Sequence, residues 1–172
     1  MFSRLPLNDA AVATQAEYDA GDELLLGCTE WSMPRLVANP LPMEFVRSGD
    51  MILQRFEEND SVRQIHMDAP THTAPSEYVL LGFSTGRWDG STLVVTTTNV
   101  TPERLNNAGA PFSKKMTLLE RFTPSEDGSR LNYALEVTDP ENFTERYETE
   151  RYWDWRPEII VGPYDCDRDQ QL

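Results

Sequence analysis

Histidine, cysteine and basic residues are the scarce ones, and each shortage closes a route. Two histidines and two cysteines in 172 residues, with no C-x-x-C or H-x-x-x-H spacing, make no recognisable zinc site. With 15 basic against 29 acidic side chains the net charge is -14. A surface of that sign repels phosphate backbones and anionic membranes, so nucleic acid and lipid headgroups are not expected partners. No apolar run approaches the roughly 18 residues of a membrane helix. The opening MFSRLPLNDAAVATQ has no apolar signal core, which predicts a cytoplasmic chain as written, with the periplasm the alternative if a leader has been removed. There is no G-x-S-x-G elbow, no glycine-rich phosphate loop and no G-x-G-x-x-G fingerprint, and the reading predicts no cofactor.

The two cysteines, Cys28 and Cys166, bracket most of the chain. A bridge between them would close nearly the whole domain into one loop and stabilise it by restricting the unfolded chain. Two reduced thiols fit a cytoplasmic chain equally well.

What the chain does have is a period of two. The length suits one domain. Residues 1–42 are punctuated by Pro6, Pro34, Pro40 and Pro42 and read as a lead-in that packs on the rest. A short helix is expected within Asp9 to Leu26, capped by Asn8 or Asp9 and stopped by Gly21. From residue 43 to the C-terminus the pattern predicts one antiparallel β-barrel. Strands are expected at 43–47, 51–57, 61–67, 78–88, 91–99, 115–122, 130–137 and 143–155, with turns at Ser48-Gly49-Asp50, Glu58-Asn59-Asp60, Asp89-Gly90, 125–128 and 139–142. Two long polar loops, 68–77 and 101–113, interrupt them, and the first sits where a lid would. Eight strands joined mostly by hairpins suggest an up-and-down barrel of lipocalin or calycin type, wide enough for one small ligand.

Ionisable groups set into apolar stripes are the candidates for chemistry. Glu120, Glu145 and Arg151 interrupt the inward stripes of the last three strands, where a lone charge costs several kcal/mol unless it is paired or solvated. A Glu120–Arg151 pair with Tyr147 beside it is the functional reading; a structural ion pair or a solvated outer wall is the plainer one. In the hairpin 51–67, a two-residue turn at Asn59-Asp60 places Ile52, Phe56, Ile65 and Met67 on the core face with Arg63 among them. Leu53, Arg55, Glu57, Val62, Gln64 and His66 then face out, and a one-residue bulge would reverse the assignment. His66 followed by Asp68 is the nearest thing to a general acid or base with an orienting carboxylate, set against a plain exposed strand-end histidine; His72, in a loop, is a weaker candidate. Trp88, in Gly86-Arg87-Trp88, is expected to plug one end of the barrel, and Thr96, Thr97 and Thr98 suit an edge or exposed strand.

Several strings together resemble a widespread family of small bacterial proteins found in sphingomonads, other proteobacteria and acidobacteria. They are Cys28 with Met33-Pro34-Arg35, PMEFVRSGDMILQRFEE, VRQIHMD, GRWDGSTLVVTTTN, AGAPFS, ERF, LEVTDPENFTE and WDWRPE with Tyr164-Asp165-Cys166, spanning about residues 23–166. Members of that family often carry a leader, and the resemblance thereby implies a Cys28–Cys166 disulfide. It brings no established activity. Many members carry histidine where this chain has Phe83, Ala110 and Phe112, so the resemblance implies a more apolar pocket here than in those members. Glu57, Arg63, Glu120 and Arg121 match the family pattern.

The expectation from sequence is a barrel that holds a hydrophobic or aromatic small molecule, as monomer or homodimer, and acts on it without a cofactor as a lyase or isomerase. His66, Glu57 or Glu120 would move the proton and Arg63 or Arg151 would hold a developing oxyanion. Tyr147, Trp88, Trp153, Phe83 and Phe112 are the expected wall of the binding site. A binding protein without catalysis is the rival, and a protein-interaction module the third reading.

Overall fold

The computed structural model describes residues 2–19, 21, 30–67 and 74–164. Helix α1 spans Asp9–Ala16, and the Asn8 side chain caps it by accepting from the Ala11 N–H at 2.9 Å. It ends before the expected stop at Gly21. Eight strands follow: β1 (Met43–Ser48), β2 (Met51–Phe56), β3 (Val62–Met67), β4 (Phe83–Asp89), β5 (Thr92–Thr98), β6 (Thr117–Pro124), β7 (Arg130–Thr138) and β8 (Tyr147–Asp154). All lie in one sheet in sequence order.

Hairpin geometry sets the registers. Gly49 and Gly90 take positive φ in the two tightest turns, which glycine does without a Cβ penalty. Asn59 and Asp60 also take positive φ, and Arg55 faces Val62, Gln54 faces Arg63 and Ile52 faces Ile65. That register leaves a four-residue connection, 57–60, in place of the expected two-residue turn, but it keeps the same alternation, so Arg63 points into the core.

Two features of the expected barrel are corrected. β3 and β4 pair in parallel, Ile65 opposite Ser84, an arrangement that a tight hairpin cannot produce. The sheet is therefore mixed. It is also open: β1 and β8 are its two edges and are not hydrogen-bonded to each other. The sheet curls enough for Phe45 on β1 to meet Phe122 on β6, ring centroids 5.1 Å apart. The architecture is a half-barrel. β4 begins at Phe83 and β8 at Tyr147, later than the apolar pattern suggested. Val79 makes only an isolated bridge to Val100, and Phe143 one to Leu7.

The lead-in closes one end. The Thr144 N–H donates to the Pro6 carbonyl and the Asn8 N–H to the Asn142 carbonyl, each at 2.8 Å. Phe2 meets Tyr147, and Met33, Leu36 and Val37 are buried in the same core as the strands. At the other end of the chain, the segment after β8 is tied at both ends. The Trp155 N–H donates to the Ser129 carbonyl at 2.8 Å and the Tyr164 N–H to Asp60 Oδ1 at 3.1 Å.

Candidate functional site

Six polar side chains from six consecutive strands converge inside the curl. Gln54 (β2), Arg63 (β3), Ser84 (β4), Thr97 (β5), Glu120 (β6) and Tyr133 (β7) are all buried, with Arg63 1% and Glu120 0% exposed. Each sits at an inward position of its strand; all but Ser84, which lies between Gly82 and Gly86, are two residues from an apolar inward neighbour such as Ile52, Ile65, Val95 or Phe122. Arg63 uses its whole guanidinium. Nε donates to Ser84 Oγ at 2.9 Å, Nη1 to Gln54 Oε1 at 3.0 Å and to Glu120 Oε1 at 3.1 Å, and Nη2 to Thr97 Oγ1 and Glu120 Oε2. Those contacts employ all five N–H donors in a bidentate pair. Tyr133 Oη donates to Glu120 Oε1 at 2.9 Å, and the Gln54 amide donates to the Met43 sulfur at 3.2 Å.

Burial, reinforced by the Glu120 charge, holds the Tyr133 phenol well above its ordinary value near 10. It stays a donor. Its neutral form is favoured in the fold, so its contribution to stability is complete below the unfolded tyrosine value and is lost as pH rises from about 10 towards the folded value. In a spectrophotometric titration at 295 nm, Tyr133→Phe is expected to match the parent protein up to about pH 11. A missing equivalent of phenolate below that pH would show that the group is not sealed.

Above this cluster lies a cavity. Its volume is about 680 Å³, and it is open at the end of the curl where the β1–β2 turn lies. Phe45, Ile52, Met67, Leu93, Phe122 and Leu131 form its apolar floor and walls, with Arg47, Asp50, Met51, Trp88 and Pro124 around the mouth. The floor residue Phe122 meets Phe45, Tyr133 and Trp153, with centroids 5.1, 4.9 and 6.3 Å away. The polar cluster is one layer deeper, under Ile52 and Phe122, and does not border the cavity.

The residues singled out from sequence are thus dispersed. Glu120 and Arg63 come together, but as each other's partners; the expected Glu120–Arg151 pair does not form. The reason is register: Arg63 enters the core opposite Gln54, whereas Arg151 lies on the edge strand β8. There Arg151 is half-buried, donates to the Val37 carbonyl at 2.9 Å and lies 4.7 Å over the Trp153 ring. The tyrosine beside Glu120 is Tyr133, and Tyr147 packs on Phe2 instead. Glu145 is exposed, before β8 begins. His66 lies on the outward face, half-buried and stacked on Phe83 at 5.1 Å, so neither ring lines the cavity. Glu57 is half-buried past the end of β2. Trp88 borders the open mouth without plugging it and is 58% exposed. Phe112 is buried in the core, and Trp153 is half-buried behind Phe122. His72, Asp68 and the two cysteines lie outside the described residues.

The chain matches no protein-family model, no curated protein and no solved structure. Among the described residues no three histidines, cysteines or carboxylates are grouped to hold a metal, and no helix is long and apolar enough to cross a membrane. The sequence reading overlooked Gln54, Ser84 and Tyr133 in the cluster and Phe45, Arg47, Asp50 and Leu131 at the cavity, and it set Thr97 on an edge or exposed strand, whereas β5 is an interior strand and Thr97 is buried. Alternation was the available signal. Gln54 falls between Ile52 and Phe56 on the core face, and Arg47 follows Met43 and Phe45 on theirs.

Proposed function

We propose that the protein binds a hydrophobic small molecule in the open-ended cavity of the half-barrel. One observation carries this reading: a space of about 680 Å³ with an apolar floor and its ionisable groups, Arg47 and Asp50, confined to the mouth. Binding pockets are commonly of this size and build, apolar with a few polar groups that orient the ligand. Burial of apolar surface supplies the affinity, at roughly 25 cal/mol per Å² before the costs of association.

Cofactor-independent acid–base turnover of such a molecule, as a lyase or isomerase, has less support. Its proton carriers would have to reach the ligand, and His66, Glu57 and Glu120 do not border the cavity. The resemblance to the bacterial family brings no activity to transfer. The binding reading is tested by titrating a fluorescent hydrophobic probe into the protein and into Met51→Trp, which adds bulk at the half-buried mouth. The parent protein is expected to bind at micromolar concentration or tighter, and the variant about tenfold or more weakly. Equal affinity of the two would place the probe elsewhere and sink the proposal.

A further inference from the structure

Resting on the binding reading, we infer that the ligand of this cavity carries a carboxylate, held by Arg47 at the mouth, with its hydrophobic part running down to Phe122. The first ground is placement. On β1, Met43, Phe45 and Arg47 share the inward face by strand alternation: Met43 touches Gln54 in the core, Phe45 touches Phe122, and Arg47 is the next inward position, at the cavity's rim. An arginine is therefore directed at the space above an apolar shaft.

The second ground is its lack of a partner. Acids outnumber bases 29 to 15, and basic side chains on this sheet are taken up accordingly. Arg55 pairs with Glu44, Arg121 and Arg146 with Glu136, and Arg130 with Asp154. Among the described basic residues, Arg47 and Arg4 have no hydrogen-bond, ion-pair or ring partner, and of these Arg47 is the one at a cavity. A guanidinium left open in so acidic a chain is suited to an acid that comes from outside it, and its planar fork fits a carboxylate.

Asp50, the other ionisable group at the mouth, is placed differently. It sits in the turn after β1, where its backbone carbonyl accepts the Met67 N–H at 3.0 Å, and it forms no ion pair with Arg47. A head group at the inward strand position meets Arg47 first. The wet mouth also avoids the penalty of burying a charge: the carboxylate stays partly hydrated while the tail leaves water. A charge-assisted contact of this kind, partly exposed, corresponds to about tenfold in affinity.

The test holds the tail constant and varies the head. Dodecanoic acid, dodecanol and dodecylamine, each kept below its aggregation limit, are titrated calorimetrically into the protein and into Arg47→Gln. The acid is expected to bind about tenfold more tightly than the alcohol, with the gap shrinking in high salt. Arg47→Gln should bring the acid's affinity down to that of the alcohol in the same variant, a selective loss that a general folding defect does not produce. An aromatic acid run alongside shows whether the preferred carboxylate is aliphatic or aromatic; tighter binding of either acid than of its alcohol upholds the inference. Each acid binding no tighter than its alcohol, or the amine binding tightest, would overturn it while leaving the binding reading intact. If none of the compounds binds, the binding reading fails and this inference with it.

Discussion

Glu120→Leu is expected to lower the unfolding free energy by about 3 to 5 kcal/mol, the usual cost of stranding one member of a buried ion pair. The mechanism is loss of compensation. Arg63 would keep its charge in a site where it is 1% exposed, and the Tyr133 hydroxyl would lose the acceptor it now has at 2.9 Å. Removing both charges should cost less than this suggests. In Arg63→Met/Glu120→Leu no ion remains, and Ser84 and Thr97 retain each other at 3.0 Å. Gln54 and Tyr133 still lose partners, at about 1 to 3 kcal/mol each, so the double variant will not reach parent stability. It should nevertheless be more stable than the sum of the single losses, by a coupling of about 1 to 3 kcal/mol. Urea unfolding of the four proteins decides it: strict additivity, or a Glu120→Leu cost below about 1 kcal/mol, would mean that the pair is not sealed as described.

Phe122→Ala should have a comparable effect by a different route. The ring is 2% exposed and meets Phe45, Tyr133 and Trp153 at once, and truncating a buried phenylalanine costs about 3 to 5 kcal/mol. For a domain of this length that lowers the thermal midpoint by about 6 to 20 °C. Because Phe122 is also the cavity floor, the void joins an existing space, and a bulkier hydrophobic ligand should recover part of the loss through binding linkage. A scanning calorimetry midpoint that falls by less than about 3 °C would show that the aromatic group is not a core element.

The number and order of the strands were legible because alternation and turn chemistry agreed along most of the chain. Gly49, Asn59-Asp60 and Gly90 gave turns that placed β1, β2, β3, β4 and β5 to within a few residues. The inward position of Arg63 was legible too, because the four-residue connection that forms and the two-residue turn that was expected differ by an even number and leave the same face inward. Its partner was not. Glu120 lies far along the chain from Arg63, and choosing between Arg63 and Arg151 needs the curl of the sheet, which no local pattern encodes. The parallel pairing of β3 with β4 was hidden for a related reason: a loop reveals by its length that the chain travels, but not where it returns. His66 attracted attention because histidine is rare here and chemically versatile, whereas the strand register had already put it on the outward face.

The mixed sheet divides the chain into two meanders, β1 to β3 and β4 to β8, each built from sequence neighbours. Within the sheet only the parallel pair β3–β4 hydrogen-bonds one meander to the other. The buried cluster spans this division: Gln54 and Arg63 come from the first meander, Ser84, Thr97, Glu120 and Tyr133 from the second. Sliding β3 by one residue against β4 would turn Arg63 to the outside and leave Glu120 alone inside. The ion pair thus acts as a proofreading contact between the two meanders, accepting one alignment of the halves and penalising its neighbours.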